Sequence, residues 1–346
     1  MDAWRRHSRL TAVGVIDLFG RTVDYLRISV TDRCNLRCVY CLPARGIRRN
    51  ARAELLSIAE IVHVVEAAAQ LGVRRIRLTG GEPLVRPDIV GLVRALAQVP
   101  NIEDISLTTN GMLLERLAGP LAEAGLRRVN VSLDTLNPER FLRITRFGEL
   151  DRVWRGIQAA QGVGLEPTKI NTVVVRGVND DELPALADLT RDRPWHVRFI
   201  ELMPIGSGGE WEAGTPGRRE RYVSVQEMSA RLAGLNLTPV RGTAGNGPAR
   251  VYQIPGAAGF VGFISPIGEH FCATCNRLRL TADGRLRPCL FLDREVPIRE
   301  ALRRGEDIGP LIVRAVQAKP SGHGLTAEDS RVSWERVGSA MSQIGG

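Results

Sequence analysis

The six cysteines of the chain fall into two groups of three. The first group is Cys34, Cys38 and Cys41, with the spacing Cys-x3-Cys-x2-Cys, and the second is Cys272, Cys275 and Cys289. Short spacings in a reducing compartment favour metal binding over disulfides, and thiolates select zinc, copper(I) or iron–sulfur clusters. A structural zinc site takes four ligands, so three cysteines leave one position open. A four-iron cluster held in this way has one iron free for a small ligand, which is a catalytic arrangement.

Two other interpretations of the cysteines remain open at this point. His270 lies two residues before Cys272, so the second group could form a zinc site of the Cys3His type. The six cysteines could also belong to one composite site.

The elements that must position the cysteines follow an alternating pattern. Strand formers at 23–31 lead directly into the first cysteine group, and a Ser57-x-x-Glu60 capping box opens a helix to about Leu71. Further strands are predicted at 75–79, 104–109, 128–133, 170–175 and 197–202, with helices at 87–98, 113–124, 151–161 and 181–190. This alternation predicts an α/β fold with six parallel strands, either a partial (β/α)6 TIM-like barrel or a doubly wound sheet.

The domain organisation changes after the sixth strand. Residues 203–219 are rich in Gly and Pro and predict a long mobile loop, and shorter strands at 251–254 and 260–264 precede the second cysteine group. We therefore expect an N-terminal tail at 1–13, a barrel at 14–221, and a C-terminal region at 222–346 that forms a second layer and could close the open side of the barrel.

Unusual residues occur where the predicted strands end. Cys34, Gly81, Asn110, Asp134 and Met203 each lie at or just after a strand's carboxyl end. In α/β barrels and sheets that edge carries the site, so these residues are expected to converge on one mouth.

Composition narrows the class of protein. The chain has 346 residues, a net charge of +9 and only two lysines, Lys169 and Lys319. It contains no apolar run long enough for a membrane span and no N-terminal secretory signal, so we expect a cytoplasmic protein. The basic residues are scattered and do not form a nucleic-acid face; an anionic small molecule explains them equally well.

The motifs together resemble a known family. Cys34-x3-Cys38-x2-Cys41 after a strand, with Tyr40 before the last cysteine, is similar to the radical S-adenosylmethionine (SAM) signature, and Gly80-Gly81-Glu82-Pro83 resembles the SAM-binding loop of that superfamily. More narrowly, the chain resembles the GTP 3′,8-cyclases, the molybdenum cofactor biosynthesis protein A family. The carrying segments are 26–35, 77–83, 108–111, 130–134, 169–171, 199–201 and 272–279, and the Gly345-Gly346 end.

The resemblance implies a radical lyase with two [4Fe-4S] clusters. The first cluster would bind SAM and reduce it to a 5′-deoxyadenosyl radical, which would remove the ribose 3′ hydrogen of GTP. The carbon radical would then attack C8 and give (8S)-3′,8-cyclo-7,8-dihydroguanosine 5′-triphosphate. The second cluster would hold the guanine. The implied partners are an electron donor and the next enzyme, cyclic pyranopterin monophosphate synthase. The resemblance implies no nucleic-acid or membrane partner. The implied oligomeric state is a monomer or a homodimer.

The resemblance also implies roles for individual residues. The cysteines of both groups would be the metal ligands, with Cys34, Cys38, Cys41, Arg277 and Arg279 catalytic. SAM would contact Tyr40, Gly81, Ser132 and Met203. GTP would contact Arg27, Arg77, Thr108, Lys169, Arg277, Leu278 and Arg279, and the Gly345-Gly346 tail would enter the site.

Three other functions compete with this interpretation. They are a peptide-modifying radical enzyme with an auxiliary cluster, a zinc-binding interaction protein, and a nucleic-acid-binding protein. Cations at several strand ends favour a phosphorylated substrate over a peptide.

Overall fold

The computed structural model describes residues 14–47, 50–205, 217–240, 247–325 and 341–344. The predicted tail at 1–13, most of the predicted loop at 203–219, and Gly345-Gly346 lie outside these ranges. No helix within the described part of the chain combines the length and apolarity that a bilayer crossing demands.

The first part of the described chain alternates strands and helices. After a short hairpin of β1 (Val15–Ile16) and β2 (Thr22–Val23) come β3 (Tyr25–Ser29), α1 (Ile58–Gln70), β4 (Arg75–Thr79), α2 (Ile89–Leu96), β5 (Asp104–Thr109), α3 (Leu114–Glu123), β6 (Arg128–Ser132), α4 (Pro138–Thr145), α5 (Leu150–Gly162), β7 (Lys169–Val174), α6 (Leu183–Asp188) and β8 (His196–Glu201). The strands β3 to β8 pair in parallel in chain order. The predicted six-stranded α/β unit is confirmed.

The second part adds short elements to the same sheet. They are α7 (Val225–Arg231), β9 (Thr238–Pro239), β10 (Arg250–Gln253), β11 (Phe260–Ile264), β12 (Arg277–Leu280), β13 (Arg285–Arg287), β14 (Val296–Pro297), α8 (Arg299–Arg303), α9 (Gly309–Gln317) and α10 (Met341–Ile344).

The strands before Cys272 and after Cys275, β11 and β12, pair with opposite edges of the barrel. β11 pairs in parallel with β8, and β12 pairs in parallel with β3. Antiparallel strands then extend each edge, so β3 to β14 form one twelve-stranded sheet whose ends, β14 and β9, do not pair with each other. Paired edge strands satisfy their backbone groups within the same sheet, so this region extends the barrel sheet at both edges. The domain boundary at 221 stays a prediction.

Local signals explain two of the helices. The predicted capping box is present at α1: the Ser57 hydroxyl accepts from the Glu60 N–H, and the Glu60 carboxylate accepts from the Ser57 N–H. The helix α4 is absent from our expectations, although Asn137 caps it and Pro138 occupies its first position. Its eight residues are too few for periodicity alone to reveal it.

Candidate functional site

Both cysteine groups line one cavity of about 340 Å³ that runs through the barrel. The first group lies at the carboxyl ends of the parallel strands, and the second lies at their amino ends, because Cys275 precedes β12, which is parallel to β3. The cavity wall also includes nearly all residues expected at the site, namely Arg27, Tyr40, Gly81, Thr108, Ser132, Lys169, Met203, Arg277 and Arg279, together with Arg77. The predicted convergence of Cys34, Gly81, Asn110, Asp134 and Met203 on one mouth is found. Ligands in the cavity could touch both cysteine groups.

Leu278 is the expected residue that does not line the cavity. It is 1% exposed and belongs to the hydrophobic core, while its neighbours Arg277 and Arg279 line the cavity. This difference follows from the alternation of side chains along β12. Contact between Leu278 and a ligand in the cavity would have to use its backbone.

The first cysteine loop is anchored to the end of α4. The N–H groups of Arg37 and Val39 donate to the carbonyls of Thr145 and Ile144, at 3.0 and 2.9 Å. Within the loop the Cys41 N–H donates to the Cys38 carbonyl at 2.9 Å. The helix that sequence reasoning missed therefore fixes the shape of the loop that carries the signature.

Burial sets the protonation of this first group. It raises the pKa of Cys34 to about 11 and that of Cys41 to about 12, and it raises the pKa of Cys38 well above its ordinary value. The thiols hold their protons until a cation compensates the buried thiolates, and the iron of a cluster provides that compensation.

The Gly80-Gly81 turn lies against the first cysteine loop. A Cβ on Gly81 would lie 2.2 Å from the Arg33 carbonyl oxygen, and one on Gly80 would lie 2.4 Å from the Thr31 carbonyl oxygen. The Gly81 N–H also donates to Thr31 O at 2.9 Å. Within the described protein, close approach of two backbones is what requires glycine here.

Glu82 connects this turn to the end of β5. Its carboxylate accepts from the Thr109 hydroxyl at 2.8 Å and from the N–H groups of Asn110 and Leu84, at 2.6 and 3.0 Å. Burial raises the pKa of Glu82 to about 7, although these donors oppose the rise. Asn110 in turn donates to the Asn35 side chain at 2.8 Å, so the turn, the cysteine loop and β5 form one network.

Tyr40 is directed at a buried carboxylate. Its hydroxyl donates to Asp134 Oδ2 at 2.6 Å, and Asp134 Oδ1 accepts from the Val173 N–H at 2.9 Å. Burial raises the pKa of Asp134 to about 6. Because the hydroxyl is engaged, a cofactor beside Tyr40 would meet its ring or its backbone.

The second cysteine group surrounds the start of β12. Cys272 begins a 3-10 turn that ends at Cys275, and Cys289 follows β13. Burial alone would raise the pKa of Cys275, but the charges of Lys319 and Arg277 hold it below its ordinary value. Cys275 therefore has a more electropositive surrounding than the cysteines of the first group.

Strand register places three arginines side by side between the cysteine groups. In the parallel pairing, Arg279 on β12 lies opposite Arg27 on β3, which lies opposite Arg77 on β4. All three line the cavity. We call Arg279, Arg27 and Arg77 the arginine row.

The cavity holds far more cations than acids. Its wall contains eight cationic side chains, Arg27, Arg75, Arg77, Arg128, Lys169, Arg198, Arg277 and Arg279, against the carboxylates of Glu82 and Asp134. Arg75 pairs with Asp24 and Arg128 with Asp104, at the cavity's edge. No described carboxylate forms an ion pair with Arg77, Arg198 or Arg277.

These cations repel one another across the cavity. Burial and the neighbouring arginines lower the pKa of Lys169 to about 7, that of Arg198 to about 9 and that of Arg279 to about 10. The pKa of Arg27 is lowered well below its ordinary value, first by burial and then by Arg279. A polyanion in the cavity would relieve this repulsion, so the site is suited to a phosphorylated ligand.

Sequence reasoning missed Arg75, Arg128 and Arg198 as cavity residues. Arg75 precedes Arg77 by two positions on β4, so strand alternation could have placed both on one face. Arg198 donates to Asn130 Oδ1 at 2.7 Å, a contact between β8 and β6 that no local pattern reveals.

The residues fit the clusters and ligands that the sequence implied. All six cysteines are free thiols. The buried atoms Thr108 Oγ1, Asn171 Oδ1 and Arg277 Nε border the cavity and have no hydrogen-bond partner among the described residues. Such atoms are ordinarily satisfied in a native protein, so they indicate polar ligand groups.

The zinc alternative depends on a His270 side chain that could reach the second cysteine group. The ring of His270 packs edge-on against His323, with centroids 4.7 Å apart, and does not line the cavity.

Comparison with known proteins identifies the family. The family model for the radical SAM superfamily matches residues 28–190, and the model for Molybdenum Cofactor Synthesis C matches residues 195–325. A GTP 3′,8-cyclase of Pelotomaculum thermopropionicum is 53% identical over 335 residues, which cover 95% of this chain and 99% of the relative. The chain belongs to the GTP 3′,8-cyclase family. The family resemblance stated from the sequence is confirmed.

A second relative agrees with this membership, and a solved structure shares the fold. The GTP 3′,8-cyclase of Heliobacterium modesticaldum is 50% identical over 337 residues, covering 96% of this chain and all of the relative. Among solved structures, Streptococcus suis SuiB bound to S-adenosylmethionine superposes with a TM-score of 0.59 and 17% identity, over 88% of this chain and 69% of SuiB. That likeness shows a shared radical SAM fold alone.

Proposed function

We propose that the protein is a GTP 3′,8-cyclase that uses S-adenosylmethionine to convert GTP to (8S)-3′,8-cyclo-7,8-dihydroguanosine 5′-triphosphate. The observation that carries the proposal is the single cavity lined by two cysteine trios with the arginine row between them. Membership of the family supports it, since full-length relatives about 50% identical carry that name.

Cys34, Cys38 and Cys41 would hold the first [4Fe-4S] cluster, and Tyr40, Gly81, Ser132 and Met203 would surround SAM beside it. When bound, the cluster and SAM supply the radical that removes the 3′ hydrogen of the ribose. The chain contributes position and shielding. Leu36 and Leu42 line the same part of the cavity and keep water away from this chemistry.

The arginine row would bind the triphosphate. Arginine presents planar, fixed donors that match phosphate oxygens, and three neighbouring strands hold these side chains in one line. Lys169 and Thr108 would add an ammonium and a hydroxyl, and the buried Thr108 Oγ1 has no partner in the described structure. Holding the nucleotide at both ends fixes the ribose relative to the first trio.

Cys272, Cys275 and Cys289 would hold a second [4Fe-4S] cluster that anchors the guanine. Arg277 and Arg279 leave this trio on the cavity side of β12, so they can neutralise phosphate or the charge of the cyclising nucleotide. Arg277 also lies over the Phe271 ring, 5.0 Å from its centroid, which fixes its approach to the cavity.

The reaction needs a reductant as partner. The product contains the same atoms as GTP, so the hydrogen removed from C3′ must be replaced by an electron and a proton. Cleavage of SAM takes one further electron. The proposal therefore includes an electron donor. It also includes lyase chemistry, a cytoplasmic location and a monomeric or homodimeric state. The product would pass to cyclic pyranopterin monophosphate synthase.

The decisive experiment is anaerobic. The protein is loaded with iron and sulfide, reduced, and given SAM with or without GTP, and 5′-deoxyadenosine and the cyclised nucleotide are measured. We expect release of 5′-deoxyadenosine that depends on GTP and matches the product formed. Release that ignores GTP would reject the substrate and favour the peptide-modifying alternative. No release from protein with both clusters loaded would reject the radical chemistry.

A further inference from the structure

Lys319, one of the two lysines of the chain, is buried beside the second cysteine trio. It follows α9 and is 3% exposed. Its Nζ donates to the Arg277 carbonyl at 2.7 Å, to the Pro288 carbonyl at 3.1 Å, and to Cys275 Sγ at 3.6 Å. An ammonium has three hydrogens and no acceptor, so these three contacts satisfy it completely.

The three acceptors belong to the two arms of the trio. Arg277 follows Cys275 by two residues, and Pro288 directly precedes Cys289. One ammonium therefore ties the segment that ends the 3-10 turn to the segment that carries the third cysteine. Loss of Nζ would free both arms and would leave two buried carbonyls without this donor.

The segment that follows Lys319 is held in place by Arg21. Arg21 donates to the Pro320 carbonyl at 2.6 Å and to the Cys272 carbonyl at 2.8 Å, and Arg21 pairs with Asp17 at 2.6 Å. Arg21 thus connects Cys272, the remaining cysteine of the trio, to the β1–β2 hairpin. The segment beginning at Lys319 is fixed at both the trio and the hairpin.

We propose that Lys319 is a positioning residue of the second trio, which sets the spacing of its cysteines and favours the reduced form of a cluster bound there. This inference rests on the proposed function, because it takes the second trio to hold a cluster. Positive charge and an N–H···S hydrogen bond at a ligating sulfur both stabilise an added electron, and partners of metal ligands tune the metal in this way.

The test isolates the second cluster. In a protein carrying Cys34→Ala, Cys38→Ala and Cys41→Ala, only the second trio can bind iron. Lys319→Met removes the charge and the donors at similar length, and Lys319→Arg keeps the charge. For each variant we measure the content of iron and of acid-labile sulfide. The midpoint potential is followed by electron paramagnetic resonance.

We expect Lys319→Met to lower the midpoint potential of the second cluster by ~59 mV. For a one-electron couple this shift is a tenfold fall in the ratio of reduced to oxidised cluster. Lys319→Arg should restore most of this shift. As the matched control, Lys319→Met in a protein lacking the second trio should leave the first cluster unchanged. An unaltered potential and iron content would overturn the inference and leave the proposed function standing. Failure of the parent protein to bind any iron would overturn the second cluster itself.

A labelling measurement covers the case in which Lys319→Met does not fold. Since the chain has only two lysines, growth on lysine labelled with ¹⁵N at Nζ marks Lys169 and Lys319 alone. Pulsed electron paramagnetic resonance of the reduced second cluster should show ¹⁵N coupling that persists in Lys169→Arg and disappears in Lys319→Arg. Absence of coupling in the unsubstituted protein, or its loss in Lys169→Arg alone, would overturn the inference.

Discussion

Arg279 and Arg27 stand side by side across the parallel pair of β12 and β3, although they belong to opposite ends of the chain. Both side chains line the same cavity wall, Arg279 buried and Arg27 partly buried, and the charge of Arg279 contributes to lowering the pKa of Arg27. Two like charges held this close cost free energy in the empty protein. A bound polyanion offsets this cost. The pair therefore lowers the stability of the nucleotide-free protein and raises its affinity for the polyanion.

We predict that Arg279→Met weakens GTP binding about 10- to 100-fold, as expected for loss of charge-assisted hydrogen bonds. The same change should raise the melting temperature of the nucleotide-free protein, because it removes repulsion. Arg27→Met should act similarly, and the double variant should be non-additive, since the residues are neighbours. Calorimetric titration and thermal melting check this.

The matched control for the arginine variants is Arg303→Met. Arg303 pairs with Glu60 on the surface and does not line the cavity. Its loss should leave GTP affinity unchanged. Equal loss of affinity in the control, or strictly additive effects of Arg27→Met and Arg279→Met, would contradict the role of the arginine row.

Lys169 should take up a proton when GTP binds. Burial and the charges of Arg198 and Arg128 lower its pKa to about 7 in the empty cavity, so at pH 8 it is mostly neutral there. A triphosphate favours the ammonium and raises this pKa, so affinity should fall as the pH rises above 7. At pH 6 the lysine is already protonated and uptake should vanish.

Titration calorimetry at pH 8 in buffers of different ionisation enthalpy measures this proton uptake directly. Lys169→Arg is the control, because arginine stays protonated and should show no buffer dependence. Heats that are the same in all buffers for the unsubstituted protein would refute the prediction.

Gly81→Ala should prevent loading of the first cluster and not merely weaken SAM binding. The added Cβ would lie 2.2 Å from the Arg33 carbonyl oxygen, next to Cys34, so the cysteine loop must move. Iron content should fall by about half if each trio holds one four-iron cluster.

Gly119→Ala is the matched glycine control. Gly119 lies within α3, and a Cβ there would meet no heavy atom within 4 Å. Alanine should be neutral or stabilise the helix by up to about 1 kcal/mol. Full iron content in Gly81→Ala would show that the loop accommodates the methyl group.

The two trios should separate by function. Cys34→Ala should abolish 5′-deoxyadenosine formation, because the first trio loses a ligand. Cys272→Ala should keep a reducible first cluster but lose the cyclised product. Iron analysis with chromatography of both products distinguishes these outcomes, and cyclisation retained in Cys272→Ala would remove the second trio from substrate anchoring.

Much of the barrel was predictable because its signals are local. The alternation at β3 to β8, the capping box at Ser57 and the placement of Cys34 and Gly81 after strands can all be read within about ten residues. The helix α4 left a cue in Asn137 and Pro138 that our prediction did not use. The capping box of α7, formed by Ser224 and Glu227, was likewise unused.

The remaining features of the fold and the site depend on the register between strands that are distant in sequence. Nothing in the sequence around Arg279 says that β12 will pair with β3, or that Arg198 will reach Asn130. The cysteine trios could be predicted as two sites, but the row of cations between them follows from pairing that only the folded sheet defines. Leu278 shows the converse, since strand alternation turns its side chain away from the cavity.

The pairing of β12 with β3 also bears on how the chain is made. During synthesis β3 leaves the ribosome early, yet its second neighbour is encoded some 250 residues later. Such high contact order slows folding, and the nascent barrel carries an open edge until the C-terminal strands arrive. The arginine row, and with it the nucleotide site, is therefore completed only after β12 has been synthesised.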